Sequence, residues 1–222
     1  MSFFRRKVEE LQTKRAERES LKSLEETFRK PLSDLQAIFG TGSLDLRGQR
    51  LPAYPKPIYQ GDAGINAFGL VHHVRPSQFP GLLNLVRKGR QEIAYFHFTR
   101  EVDGQSLSTI IAPTWRFSER DVRLLSNDIE LLVALSAQGF HPPPPWVTLY
   151  EFGPVLHVSQ GDPHYWLNYV WDPFWESLSL DEQTDFLENG RKEAAADISD
   201  EDWEVWVESI RMRDARFRKL ED

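Results

Sequence analysis

Apolar positions along this chain of 222 residues recur at two spacings, and the spacing divides it into helical and extended stretches. In residues 2–30, Phe4, Val8, Leu11, Leu21, Leu24 and Phe28 keep helical spacing, with a gap between Thr13 and Ser20. This predicts a charged helix with a weakly apolar middle. Pro31 interrupts it, because proline lacks an amide proton and its ring clashes with the preceding turn. A second short helix carries Leu32, Leu35 and Ile38 and stops at Gly40, a residue suited to a left-handed cap. Glycine and proline then punctuate the chain from Thr41 to Gly64 (Gly42, Gly48, Pro52, Pro55 and Pro57 among them), which predicts an irregular surface connection. A strand is expected at 65–74, then a helix capped by Ser77 with Leu82, Leu83 and Val86 facing inward.

Two β-rich runs, Glu92 to Val102 and Gln105 to Pro113, flank Asp103-Gly104, a dipeptide that supplies the positive φ angles of a two-residue turn. They predict a hairpin in which Phe96, Phe98 and Arg100 face Ile111, Thr109 and Leu107, with His97 opposite Ile110. A helix follows from Ser118, paired with Asp121 as a capping box, to Gly139, with Val122, Leu125, Ile129 and Leu132 as its stripe. After Pro142 to Pro145, the runs Trp146–Phe152, Val155–Ser159 and His164–Trp171 read as a three-stranded meander turning at Gly153-Pro154 and at residues 160–163. Asp172-Pro173 opens a helix, Ser179 and Glu182 form a capping box, Gly190 ends that segment, and a last helix starts near Ser199.

These elements predict an α+β fold: an antiparallel sheet built from the 92–113 hairpin and the 146–171 meander, packed by helices. Its parts are a helical arm at 1–40, an α+β core at 41–171 and a helical region at 172–222, packed together as one domain. With 40% hydrophobic and 27% charged residues the chain has the composition of a folded protein. The absence of cysteine excludes disulfides, thiolate metal sites and a cysteine nucleophile, and fits a reducing compartment. No leader-like apolar run follows Arg5, Arg6 and Lys7, and no stretch is long enough to span a bilayer, so the expected location is cytoplasmic, without a membrane partner.

The net charge of -7 argues against direct nucleic-acid binding. It is also unevenly placed: residues 172–208 hold thirteen acidic side chains against Arg191 and Lys192. Six of the seven tryptophans lie between Trp146 and Trp206, overlapping this acidic stretch, and aromatic anchors with complementary charge are what a surface for a basic protein partner needs. The candidate contacts are Asp181, Asp185, Glu188, Trp175 and Glu204. The competing explanation is an amphipathic helix, since Trp203 and Trp206 share a stripe and Asp200, Glu201 and Asp202 occupy a first turn that favours acids.

No phosphate-binding glycine loop, zinc signature or nucleophile elbow is present, so no cofactor is expected. The meander register would gather Tyr150, His157 and Trp166 on one face beside Thr148, Ser159 and His164. His157 or His164 could then act as a base with Tyr150 as donor. His72-His73 is set aside, because adjacent strand residues face opposite ways and cannot share a metal. Three functional classes follow: a non-enzymatic inhibitor or immunity-type protein occluding a basic, nuclease-like partner; a small hydrolase or isomerase working from the meander histidines; or a scaffold docking through its first helix.

Overall fold

The computed structural model describes residues 3–40, 44, 50–116, 119–156 and 158–221. Two N-terminal helices, α1 (Phe3–Phe28) and α2 (Leu32–Phe39), break at Pro31 as the proline requires. A short strand β1 (Ile58–Tyr59) precedes β2 (Phe68–Val74), and α3 (Phe79–Arg87) follows with Leu82 and Val86 buried. Gln78, not Ser77, stands at its cap, without a side-chain hydrogen bond. Then come β3 (Gln91–Ala94), β4 (His97–Val102), β5 (Gln105–Arg116) and β6 (Glu119–Ser126), and α4 (Ile129–Ser136). The six strands form one antiparallel sheet in the order β1-β2-β6-β5-β4-β3. The α+β class and the antiparallel sheet match the sequence expectation.

The hairpin forms in the expected register, with Phe98 opposite Thr109, Arg100 opposite Leu107 and His97 opposite Ile110. Asp103 and Gly104 have φ of 52° and 76°, as a type I′ turn requires. Its first run is nevertheless two strands, because Phe96 takes a φ of 54° and turns β3 back against β4.

The helix expected from Ser118 is overturned over its first half. Residues 119–126 are β6, paired with β2 on one side and β5 on the other, and the helix begins only at Ile129. The Asp128 side chain caps it by accepting from the Leu131 amide at 3.3 Å. Both sheet faces are covered, so β6 carries apolar residues facing each way and its leucines satisfy a helical stripe equally well. Leu70, Val74, Val122, Leu124, Ile111 and Phe98 pack under α3 and α4. Ile110 and Leu125 pack on the opposite face with Phe28, Leu35 and Phe39 of α1 and α2. Ser118 lies outside the described residues.

The described residues of 146–171 contain no strand, so the meander does not form. Helical turns stand on either side of an irregular stretch: α5 (Pro145–Thr148) and a 3-10 turn at Tyr150–Phe152 before it, and α6 (Gly161–Trp166), a π-helical turn at Leu167–Trp171 and α7 (Asp172–Trp175) after it. From α6 onward the buried residues are Trp166, Leu167, Val170, Trp171, Phe174 and Trp175. That spacing is a helical stripe, which aromatic side chains with high strand propensity had disguised. Gly153 does take positive φ, 78°, but it closes the 3-10 turn instead of a hairpin.

The chain ends in α8 (Leu180–Ala194), α9 (Asp200–Arg211) and α10 (Ala215–Glu221). The Ser179–Glu182 capping box is present, and Ser199 caps α9. Gly190 does not end α8; it lies inside the helix, where the Trp146 indole occupies the space a Cβ would need. Trp146, Trp166, Trp171, Trp175, Trp203 and Trp206 together form a separate, aromatic core.

Candidate functional site

Strand alternation puts Gly69, Val71 and His73 of β2 on one sheet face, opposite Leu125, Arg123 and Asp121 of β6, with Glu119 two residues beyond Asp121. The same face receives Phe28 and Leu24 of α1. Where α1 leaves β2 uncovered, a cleft of about 510 Å³ opens between the sheet, α1 and the C-terminal helices. Its walls are Leu24, Thr27 and Phe28 from α1, Tyr54 and Lys56 from the connecting segment, Ile58, Val71, His73 and Arg123 from the sheet, and Tyr169, Val170, Pro173 and Glu176 from the helical region. Ile58, Val71 and Tyr169 are exposed at 61%, 46% and 65%, so the rim is an apolar surface open to solvent.

Chemistry is concentrated at His73. Its Nδ1 stands 2.7 Å from Oε1 of Glu119, whose side chain is fully buried. His73 also lines the cleft, so the ring joins a buried carboxylate to an accessible space. Burial pushes the Glu119 carboxyl above its ordinary range, and the nearby Asp121 adds to this, while His73 and the indole of Trp166 pull it down. Asp121 is 3% exposed, and its Oδ2 lies 3.6 Å from Nε of Arg123, which donates from Nη1 to Thr27 of α1 at 3.3 Å. Burial, then the charge of Glu119, raises the Tyr54 hydroxyl far above its usual value. A histidine held by one buried carboxylate, with a second carboxylate on the same face, is an arrangement able to accept and return a proton.

His72 faces the other way, as alternation requires, and donates from Nε2 to the Phe140 carbonyl at 3.1 Å. Burial holds it down at about 4, so it is a neutral core histidine. Among the described residues no group of three or more histidines and carboxylates could hold a metal ion.

The described residues of the sequence-predicted catalytic set, Tyr150 and His164, lie on separate helical turns. His157 lies outside the described residues. His164 sits on α6, exposed, and donates from Nδ1 to the Val158 carbonyl at 3.0 Å. Tyr150 is exposed on the 3-10 turn. Trp175 is 0% exposed, stacked on Trp171 at 5.5 Å, and cannot anchor a partner. The other five tryptophans of the cluster are buried as well, which removes the aromatic half of the interface argument. Asp181, Asp185 and Glu188 are exposed along α8, and Glu204 is exposed on α9.

Sequence reasoning missed His73, Glu119, Asp121 and Arg123. The signal was the alternation of charges at 119, 121 and 123, which places all three on one side of a strand and was hidden by the helical reading of that run. Comparison with family models, curated proteins and solved structures returns no match for this chain.

Proposed function

We propose that the protein binds a small, partly apolar molecule in the cleft above His73 and exchanges a proton with it. The observation that carries this reading is the 2.7 Å approach of Glu119 to Nδ1 of a histidine that lines the cleft. The carboxylate approaches the ring from its Nδ1 side, which leaves Nε2 as the nitrogen to meet a ligand. The apolar walls supply affinity while Lys56, Arg123 and Glu176 orient polar groups. The reaction class that fits is proton abstraction or water activation, hence an isomerase or hydrolase working from the sheet and not from residues 146–171.

The test is a fragment screen by ligand-observed NMR on three proteins. Wild type is expected to give hits that Val71→Trp, which fills the cleft, abolishes. His73→Gln is expected to retain binding but to lose the pH dependence of the affinity. Hits that survive Val71→Trp refute the cleft; an unchanged pH profile in His73→Gln refutes the proton exchange.

A second reading rests on charge. Asp181, Asp185 and Glu188 share one exposed side of α8 and, among the described residues, have no ion-pair partner. A cytoplasmic inhibitor or immunity-type role against a basic protein would use this surface without the tryptophans. Its mark is an association rate that falls with salt and with reversal of those three charges. No helix among the described residues is long and apolar enough to cross a membrane.

A further inference from the structure

The region most crowded with acids contains one cavity where cations prevail. A space of about 470 Å³ opens where the end of β2 and the segment after α4 meet α8. It is lined by Arg75 and His141 from the sheet side, by Lys192 and Glu193 from α8, and by the rings of Trp146 and Phe186. Lys192 is one of only two basic residues between 172 and 208. Arg75 donates from Nη1 to Glu193 at 3.2 Å, but its Nε is buried with no acceptor. A guanidinium N–H shut away from water is costly unless an acceptor reaches it. Glu193 is 60% exposed, so its hold on Arg75 is that of a surface ion pair that an incoming anion can displace. His141 donates from Nδ1 to the Pro142 carbonyl at 2.7 Å, and burial, then the charge of Arg75, keeps it below its ordinary value. The charge of the cavity therefore rests on Arg75, Lys192 and Glu193.

We propose that this cavity is a second binding site, independent of the cleft above His73, for a small organic anion: a carboxylate or phosphate monoester carried on an apolar ring. The acid group meets Arg75 and Lys192 in place of Glu193, and the ring lies against Trp146 and Phe186. The space is larger than a bare phosphate needs, and its aromatic wall gives the remainder a favourable surface. Because Arg75 follows the sheet and Lys192 belongs to α8, the ligand bridges the two halves of the chain.

Calorimetric titration with benzoate, phenyl phosphate and inorganic phosphate tests the proposal and separates the two acid chemistries. At least one aromatic anion is expected to bind roughly tenfold more tightly than inorganic phosphate, the worth of burying an apolar ring on this scale. Glu193→Gln removes the competing carboxylate and is expected to tighten binding roughly three- to tenfold, whereas Arg75→Gln and Lys192→Gln weaken it by about tenfold or more. Lys192 is exposed, so Lys192→Gln decides the matter if Arg75→Gln does not fold. The proposal is overturned if no anion binds Glu193→Gln, if Lys192→Gln and Arg75→Gln leave the affinity unchanged, or if all three probes bind equally.

Discussion

The sheet half and the helical half of this chain are held together by different materials. Under α3 and α4 the sheet buries aliphatic side chains, among them Leu70, Val74, Leu82, Val86, Leu124 and Leu132. The helices after Pro145 bury tryptophans instead: Trp171 lies between Trp166, at 6.1 Å, and Trp175, at 5.5 Å, with both rings nearly parallel to it. An aliphatic core spreads its energy over many small contacts, whereas an aromatic one concentrates it in a few large rings. Single deletions are therefore expected to hurt the helical half more. Trp171→Ala should cost about 3–5 kcal/mol, the most of any substitution considered below, read as a drop in the denaturation midpoint. If the sheet half keeps its own transition while the helices melt, the halves are independently stable; a single shifted transition makes them one unit.

The sheet half has its own concentrated point, and it is polar. Asp128, 1% exposed, accepts from Arg90 at 2.6 Å, from Arg100 at 2.6 Å and from the first turn of α4. Asp128→Ala leaves two guanidinium groups without their shared carboxylate and is expected to cost about 3 kcal/mol. A loss well below 1 kcal/mol would mean that water replaces the aspartate and that only the helical half has a keystone. Gly190→Ala gives the matching test on the other side, since the new Cβ meets the Trp146 ring inside α8. Overpacking there should cost about 1–3 kcal/mol, despite the gain in helix propensity that an exposed glycine-to-alanine change would bring. A stabilised variant would show that the aromatic core yields more readily than close packing implies.

The two halves also differed in how far they could be read. In the hairpin, turn chemistry and period-2 alternation agreed, and the register from Phe98–Thr109 to Arg100–Leu107 followed from them. Capping at Ser179 and Ser199 was legible because it is local. In 146–171 the same alternation of aromatic and polar residues pointed to strands, and the helical spacing of Trp166, Val170 and Phe174 prevails because it closes a core with α8 and α9. Nothing local reports that closure. The proton-exchange cluster was hidden for a related reason. Glu119 and Asp121 become neighbours of His73 only once β6 is inserted between β2 and β5, a long-range pairing.

Gly104→Val probes the best-read element. With φ at 76° and open space around the position, the strain comes from the backbone alone. A β-branched residue there should cost about 1–2 kcal/mol. The effect should appear in the midpoint without changing the denaturant slope, and a change in slope would mean that β4 and β5 have re-registered.

The smallest effect separates the halves by pH. His72, in the sheet half, is held at about 4 by burial, below its ordinary value of 6.5, so the unfolded chain takes up the proton first. Its contribution is complete above pH ~6.5 and is lost as pH falls toward ~4. In the helical half Asp214 accepts from Arg216 and is held at about 2, against 3.8, so its contribution persists to pH ~4 and is lost only below that. The sheet half should therefore weaken first on acidification. Between pH ~7 and ~5.5 the His72 share is about 1 kcal/mol. His97 and His141 are also lowered, chiefly by burial, and add slope in the same direction, so the informative quantity is the difference between proteins. His72→Gln should flatten the stability profile over that interval by about 1 kcal/mol, whereas Asp214→Asn should leave it unchanged there and alter it only below pH ~4. If His72→Gln keeps the wild-type slope, water reaches the ring and the charged form is tolerated. The acid response would then belong to His97 and His141, and because His141 stacks on Phe174 of α7 at 5.5 Å, the helical half would sense acid at the same pH as the sheet.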